Sequence, residues 1–211
     1  NIVFGGTAPN CTVTVTPVAN GNGSSTITLT VSDGAATAND TFLLTVNAVN
    51  DLPVISNVVD QIINEDANTG ALAFTISDVE SALNCATSMS PGSSNLALVP
   101  LVNIVFGGTA PNCTVTVTPV ANGYGTSTIT LTVSDGTATA NDTFLLTVNN
   151  VNDAPTISNV VDQIISEDSN TGALAFTIND IDNALNCATS MSAGSSNLAL
   201  VPLVNIVFGG P

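Results

Sequence analysis

The sequence contains no lysine, no arginine, no histidine and no tryptophan, and its one tyrosine is Tyr124. Each absence closes a class of chemistry. Without histidine there is no base for Ser-His-Asp or Cys-His catalysis. Without lysine there is no Schiff base and no lysine–asparagine isopeptide staple. Without any cationic side chain, phosphate has no counter-charge, which excludes nucleotide and nucleic-acid binding. The scarcity of aromatic rings removes the stacking platform of a sugar-binding module. The longest apolar stretches, such as ALVPLVNIVF at 97–106, are too short and too broken by proline and asparagine to span a membrane. Sixteen acidic residues in 211 give a net charge of −16.

Aliphatic residues are abundant instead, and mean hydropathy is positive at +0.45. A disordered acidic tail lacks such a supply. The sequence is also repetitive. NIVFGG begins at Asn1, Asn103 and Asn205, a period of 102 residues. Residues 1–102 and 103–204 differ at 13 positions, among them Asn22/Tyr124, Ala48/Asn150, Leu52/Ala154 and Glu80/Asp182. Pro211 breaks the match to Thr109. The chain opens on a segment that recurs in mid-repeat, so residue 1 is expected to lie inside a longer array. A solenoid repeat is 20–50 residues; this period has the size of a whole small β domain.

Short alternating runs dominate, punctuated by Gly, Asn, Asp and Pro. TVTVT at 12–16 and TITLTV at 26–31 place β-branched residues on alternate faces. No window keeps a helical period. One repeat, 52–153, predicts strands at 54–63, 71–77, 83–89, 96–105, 113–118, 127–134 and 142–149. Seven strands in about 100 residues define an all-β, immunoglobulin-like sandwich. VNDLP at 49–53 and VNDAP at 151–155 read as linkers, since proline cannot continue a ladder. Residues 1–51 are then the second half of a preceding sandwich and 154–211 the first half of a following one. Either half exposes an open core unless a neighbouring repeat, or a copy of the chain placed end to end, supplies the missing strands.

The acidic residues sort to the ends of this sandwich. An up-and-down strand order gathers Asn50, Asp51, Asp78, Glu80 and Asp135 at the incoming linker. It gathers Glu65, Asp66, Asn152, Asp153, Asp180 and Asp182 at the outgoing one. Asp40 and Asp60, with their copies Asp142 and Asp162, fall outside the scheme. Like charges a few ångström apart repel by about 1 kcal/mol per pair in water. With no cationic side chain to compensate, an oxygen-liganded divalent ion such as calcium is the economical solution. Asp-Gly and Asn-Asp are also ordinary turn formers that bond their own backbone and need no metal.

VSDG…TANDTFLLTVNAVNDLP resembles the closing half of a cadherin repeat, and more closely the bacterial cadherin-like tandem-repeat surface proteins, whose repeats end in VNDAP. That resemblance implies calcium between successive domains, held by Asp51, Asp78, Glu80, Asp135 and Glu65 and by Asp153, Asp180 and Asp182, stiffening the array. Two departures imply fewer or weaker ions. The leading linker aspartate is Ala48 or Asn150 and the linker is one residue shorter. The acidic pair beside the fifth strand is absent.

The cysteines come two per period, Cys11/Cys113 and Cys85/Cys187. Within 52–153 only Cys85 and Cys113 can pair, pointing inward from the third and fifth strands. A disulfide there implies an oxidising, extracellular setting; two buried free thiols are the other reading. Cys11 and Cys187 would pair within adjoining half-domains. Sequons at Asn10, Asn22, Asn39, Asn112 and Asn141 occur at the frequency that so Asn- and Thr-rich a chain supplies. The expectation is a non-catalytic extracellular structural protein forming a calcium-stiffened rod. The alternatives are the stalk of an adhesin or a spacer in a secreted enzyme.

Overall fold

A computed structural model describes residues 1–209. Beyond these lie the last two residues of the predicted third segment, 154–211. The fold is all-β. The first 51 residues form two antiparallel hairpins. One pairs β1 (Ile2–Thr7) with β2 (Asn10–Val15); the other pairs β3 (Gly23–Ser32) with β4 (Thr37–Val46).

The next repeat forms a full sandwich. Its first sheet contains β5 (Val54–Ile55), β7 (Leu72–Ser77), β10 (Asn112–Val117) and β9 (Ile104–Thr109), in that order across the sheet. Its second contains β6 (Gln61–Asn64), β12 (Thr139–Asn149), β11 (Gly125–Ser134) and β8 (Met89–Ser93). All pairings are antiparallel except β6 with β12. Alternate residues of each strand face the other sheet, as the period of a strand requires. Phe74, Ile76, Val115 and Val117 thus meet Ile129, Leu131, Val133, Phe144, Leu146 and Val148 in one core. Phe74 and Phe106 pack edge to face, 6.3 Å between centroids.

Three predicted strands differ from the structure. The run 54–63 is divided. β5 lies in one sheet and β6 in the other, and the crossing is pinned to β12: Asp142 Oδ2 accepts the Val58 N–H at 2.7 Å, and Asp60 Oδ1 accepts the Leu145 N–H at 2.7 Å. The run 83–89 is a turn, and β8 begins only at Met89. Asn84 Oδ1 accepts the N–H groups of Ala86 and Thr87, and the Asn84 carbonyl accepts that of Ser88. The run 96–105 is likewise held off by Asn95, whose side chain and carbonyl accept the Leu98 N–H and whose carbonyl accepts that of Val99. A 3-10 turn at Leu101–Asn103 follows Pro100, and β9 starts at Ile104. Asparagine side chains compete for backbone donors and end the ladder in both places.

Among the described residues of the last segment only β13 (Thr156–Ile157) and β14 (Ile178–Asn179) pair. Their counterparts one period earlier are β5 and the end of β7. The sequences are nearly identical, so local propensity cannot explain why six residues of β7 are strand and only two survive here. β7 has β10 beside it, and β14 has no equivalent neighbour. The strand is a product of pairing and packing.

Candidate cation sites at the linkers

The same turn chemistry aims the carboxylates. Asp135 opens the β11–β12 turn, where Gly136 takes a left-handed φ of 96°. Its Oδ1 accepts the N–H groups of Thr137 and Ala138, both at 2.6 Å. This leaves Oδ2 facing the incoming linker, where Asn50 Nδ2 donates to it at 2.8 Å and also to the Asp51 carbonyl at 2.6 Å. The Ala138 N–H, the Asn50 amide and the Thr137 N–H hold the Asp135 carboxyl below its ordinary value of 3.8. Asp78 Oδ1 accepts the N–H groups of Glu80 and Ser81, at 2.9 and 2.6 Å. Glu80 Oε2 in turn accepts the Asp51 N–H at 3.1 Å. The incoming linker therefore meets Asp135 and Glu80 directly, with Asp78 holding the turn that presents Glu80.

At the outgoing linker Glu65 lies at the end of β6, where its N–H donates to the Asn149 carbonyl. It is buried, at 5% exposure, which the sequence pattern gave no reason to expect. Its Oε1 accepts the Val151 N–H at 2.5 Å. Asp182 accepts from Asn150 Nδ2 at 2.8 Å and from the Asp153 N–H at 2.6 Å. Asp180 Oδ1 accepts the N–H groups of Asp182 and Asn183, repeating the Asp78 turn. Asn152 Nδ2 donates to the Asp153 carbonyl, and its Oδ1 accepts from Asn183 at 3.4 Å. Asp66, assigned to this group from the sequence, accepts the Asn122 N–H at 2.9 Å in an exposed contact.

Among the described residues, three buried carboxylate oxygens have no hydrogen-bond partner: Glu65 Oε2, Asp78 Oδ2 and Asp153 Oδ2. A desolvated, unpartnered anionic oxygen is costly unless a cation sits beside it. The donor set is oxygen only, which suits calcium. Among the described residues, no three acidic or cysteine side chains converge closely enough to hold a metal ion. The repeat explains part of this. The position equivalent to Glu65 at the incoming linker falls 102 residues earlier, and that equivalent to Asp135 at the outgoing linker falls 102 residues later. Each linker here lacks one of the turns that the period assigns to it.

Cys85 and Cys113 form a disulfide, with Cα atoms 5.5 Å apart in the core. Cys113 points inward from β10 as expected; Cys85 reaches it from the Asn84 turn, not from a strand. Cys11 and Cys187 are free. No helix among the described residues is long and apolar enough to cross a membrane.

The two four-stranded sheets, with the first strand divided between them, define an immunoglobulin-like β-sandwich. No protein-family model matches the chain, and no curated protein matches it. Among solved structures it is similar to titin domain M4, at 14% identity, covering 48% of this chain and 100% of that one, with a TM-score of 0.36. It is similar to an endo-fucoidan hydrolase of glycoside hydrolase family 107, at 18% identity over 70% of this chain and 22% of that one, TM-score 0.33. It is also similar to domains 1–6 of the surface layer protein SbsC, at 19% identity over 85% and 27%, TM-score 0.35. Strand order and register within 54–149, not these likenesses, define the class.

Proposed function

We propose that the chain is a non-catalytic, extracellular structural element: a cadherin-like tandem array of sandwiches, divided at 1–51, 52–153 and 154–211, whose linkers are stiffened by calcium. The disulfide in the core supports an oxidising compartment. The observation that carries the calcium reading is the trio of buried, unpartnered oxygens on Glu65, Asp78 and Asp153, set in a chain with no cationic side chain. Asp51, Asp78, Glu80 and Asp135 would hold the ion at one linker, and Glu65, Asp153, Asp180 and Asp182 at the other. The ion would neutralise charges that otherwise push adjoining sandwiches apart. The residues themselves already tether each linker, through Asn50 to Asp135 and Val151 to Glu65.

Differential scanning calorimetry tests this. Calcium is expected to raise the melting temperature, chelation to reverse the rise, and Glu65→Gln to remove much of it while leaving the calcium-free transition in place. An identical transition with calcium and with chelator contradicts the cation reading.

A further inference from the structure

An edge strand presents unpaired N–H and C=O groups to any strand that can pair with it. The two sheets of the complete sandwich have four such edges, and three of them are blunted. β5 is two residues long and follows Pro53. β8 carries Pro91 at its middle, which has no N–H to give. β6 is four residues long and is bracketed by Asp60 and Glu65. β9 has none of these guards. It runs six residues with no proline and no charged side chain. Among the described residues, no strand pairs with its outer side.

The register defines what this edge presents. The Asn103 carbonyl accepts the Thr118 N–H at 3.0 Å, so these two residues are a bonded pair. Every second residue after Asn103 then bonds to β10, which assigns Val105 and Gly107 inward. The backbone groups of Ile104, Phe106 and Gly108 face away from β10. The Ile104 N–H is already taken by the Leu101 carbonyl in the 3-10 turn. Gly108, at a left-handed φ of 86°, ends the usable edge. What remains is the Ile104 carbonyl, both groups of Phe106 and the Gly108 N–H, with the exposed Gly108 carbonyl left in water. This set complements itself. About a two-fold axis at Phe106, a second β9 exchanges both Phe106 bonds. Each Ile104 carbonyl then accepts the Gly108 N–H of the other copy.

The side chains fit the same axis. Val105 is 59% exposed and comes beside Gly107 of the second copy, which has no side chain to meet it. Phe106, half-buried against Phe74, comes opposite its own copy, so the two rings cover each other. Charge is the remaining obstacle, since two chains of −16 repel. Yet no acidic residue lies between Glu80 and Asp135, a run that contains β8, β9, β10 and β11. The acids gather at the linkers, and β9 and its neighbour β10 are neutral. We propose that β9 is a lateral pairing edge, through which two copies of the chain join antiparallel, β9 to β9, into one eight-stranded sheet. IVFGGT recurs at 2–7, so successive repeats carry the same edge. The contact is side to side and lies within 52–153. It involves neither the linker carboxylates nor the open faces of 1–51 and 154–209.

The test uses the full chain with chelator present, followed by sedimentation velocity and by amide exchange read by NMR. The unaltered chain is expected to associate reversibly as its concentration rises. The Phe106 and Gly108 amides are expected to slow by on the order of tenfold as it does so. Those of Val105 and Gly107, bonded to β10, stay protected throughout. Val105→Glu, made together with the same change at its counterparts Val3 and Val207, is expected to weaken association by on the order of tenfold or more. The corresponding lysine set is expected to do the same. Residues 105 of the two copies are diagonal neighbours across the axis, about 7–8 Å apart. A mixture of the glutamate and lysine chains is therefore expected to associate where neither does alone. Val59→Glu adds the same charge at an exposed residue away from β9 and is expected to leave association unchanged. Protection of the β11 amides shows that each variant is folded. A chain that stays monomeric up to about 1 mM overturns the proposal. So does association that leaves the Phe106 amide fast, that persists undiminished in the glutamate set, or that is no stronger in the mixture than in its parts.

Discussion

Asp135 shows how a turn-forming residue becomes a linker contact. One oxygen closes its own turn and the other faces Asn50. Its carboxyl is held below the ordinary 3.8, first by the Ala138 N–H, then by the Asn50 amide and the Thr137 N–H. A depressed carboxylate contributes stability that is present above its unfolded value and is lost as pH falls through its folded value. The Asn50–Asp135 tie is therefore intact near neutral pH, and its contribution is lost as pH falls from the ordinary carboxylate value of 3.8 through the depressed folded one. Asp135→Asn, which keeps the turn acceptor but cannot titrate, is expected to flatten the acid limb of the melting-temperature profile. A limb as steep as that of the unaltered chain would contradict this. At this scale the sequence was partly readable. Asp-Gly pairs announced their turns, and the linker partners of Asp51 and Asp135 followed from strand direction, but the Asn-Asp pairs at 39–40 and 141–142 lie within β4 and β12. The burial of Glu65 did not follow, because it depends on how closely β6 runs along β12 toward the linker. Nor did the pinning roles of Asp60 and Asp142, which exist only because the first strand changes sheets.

At the scale of the element, pairing outweighs propensity. β11 and β3 differ by one residue, Thr126 for Ser24, yet β11 buries every second side chain and β3 does not. Val133→Ala is expected to cost about 2 kcal/mol from lost burial and the cavity left behind. Val31→Ala, at a side chain 68% exposed, is expected to change stability by less than about 0.5 kcal/mol. Urea unfolding of the two variants on a Cys11→Ser background separates these values. Equal costs would mean that 1–51 has a closed core of its own. Alternation revealed β10, β11 and β12 to within three residues at their ends. The third and fourth strands were misplaced because Asn84 sits inside, and Asn95 immediately before, a run whose apolar pattern reads as extended. The pattern was correct about burial, since Cys85, Leu98 and Val99 are all in the core, but wrong about backbone shape. Burial is set by apolar side chains; the ladder is set by where backbone donors find acceptors.

At the scale of the whole molecule, the 102-residue period was legible from three copies of NIVFGG, and it accounts for the one complete core flanked by two open ends. The linkers were read from proline and from clustered acid. What the period could not show is how few carboxylates each isolated linker gathers. That follows from which turns fall within the same chain. Electron microscopy of the full chain, with and without calcium, tests the stiffening of the linkers most directly. The account predicts rods with an axial repeat of about 40 Å per sandwich, set by strand rise plus loops, straight in calcium and bent at the linkers after chelation. Compact or shapeless particles in both conditions, with no axial repeat, would contradict it.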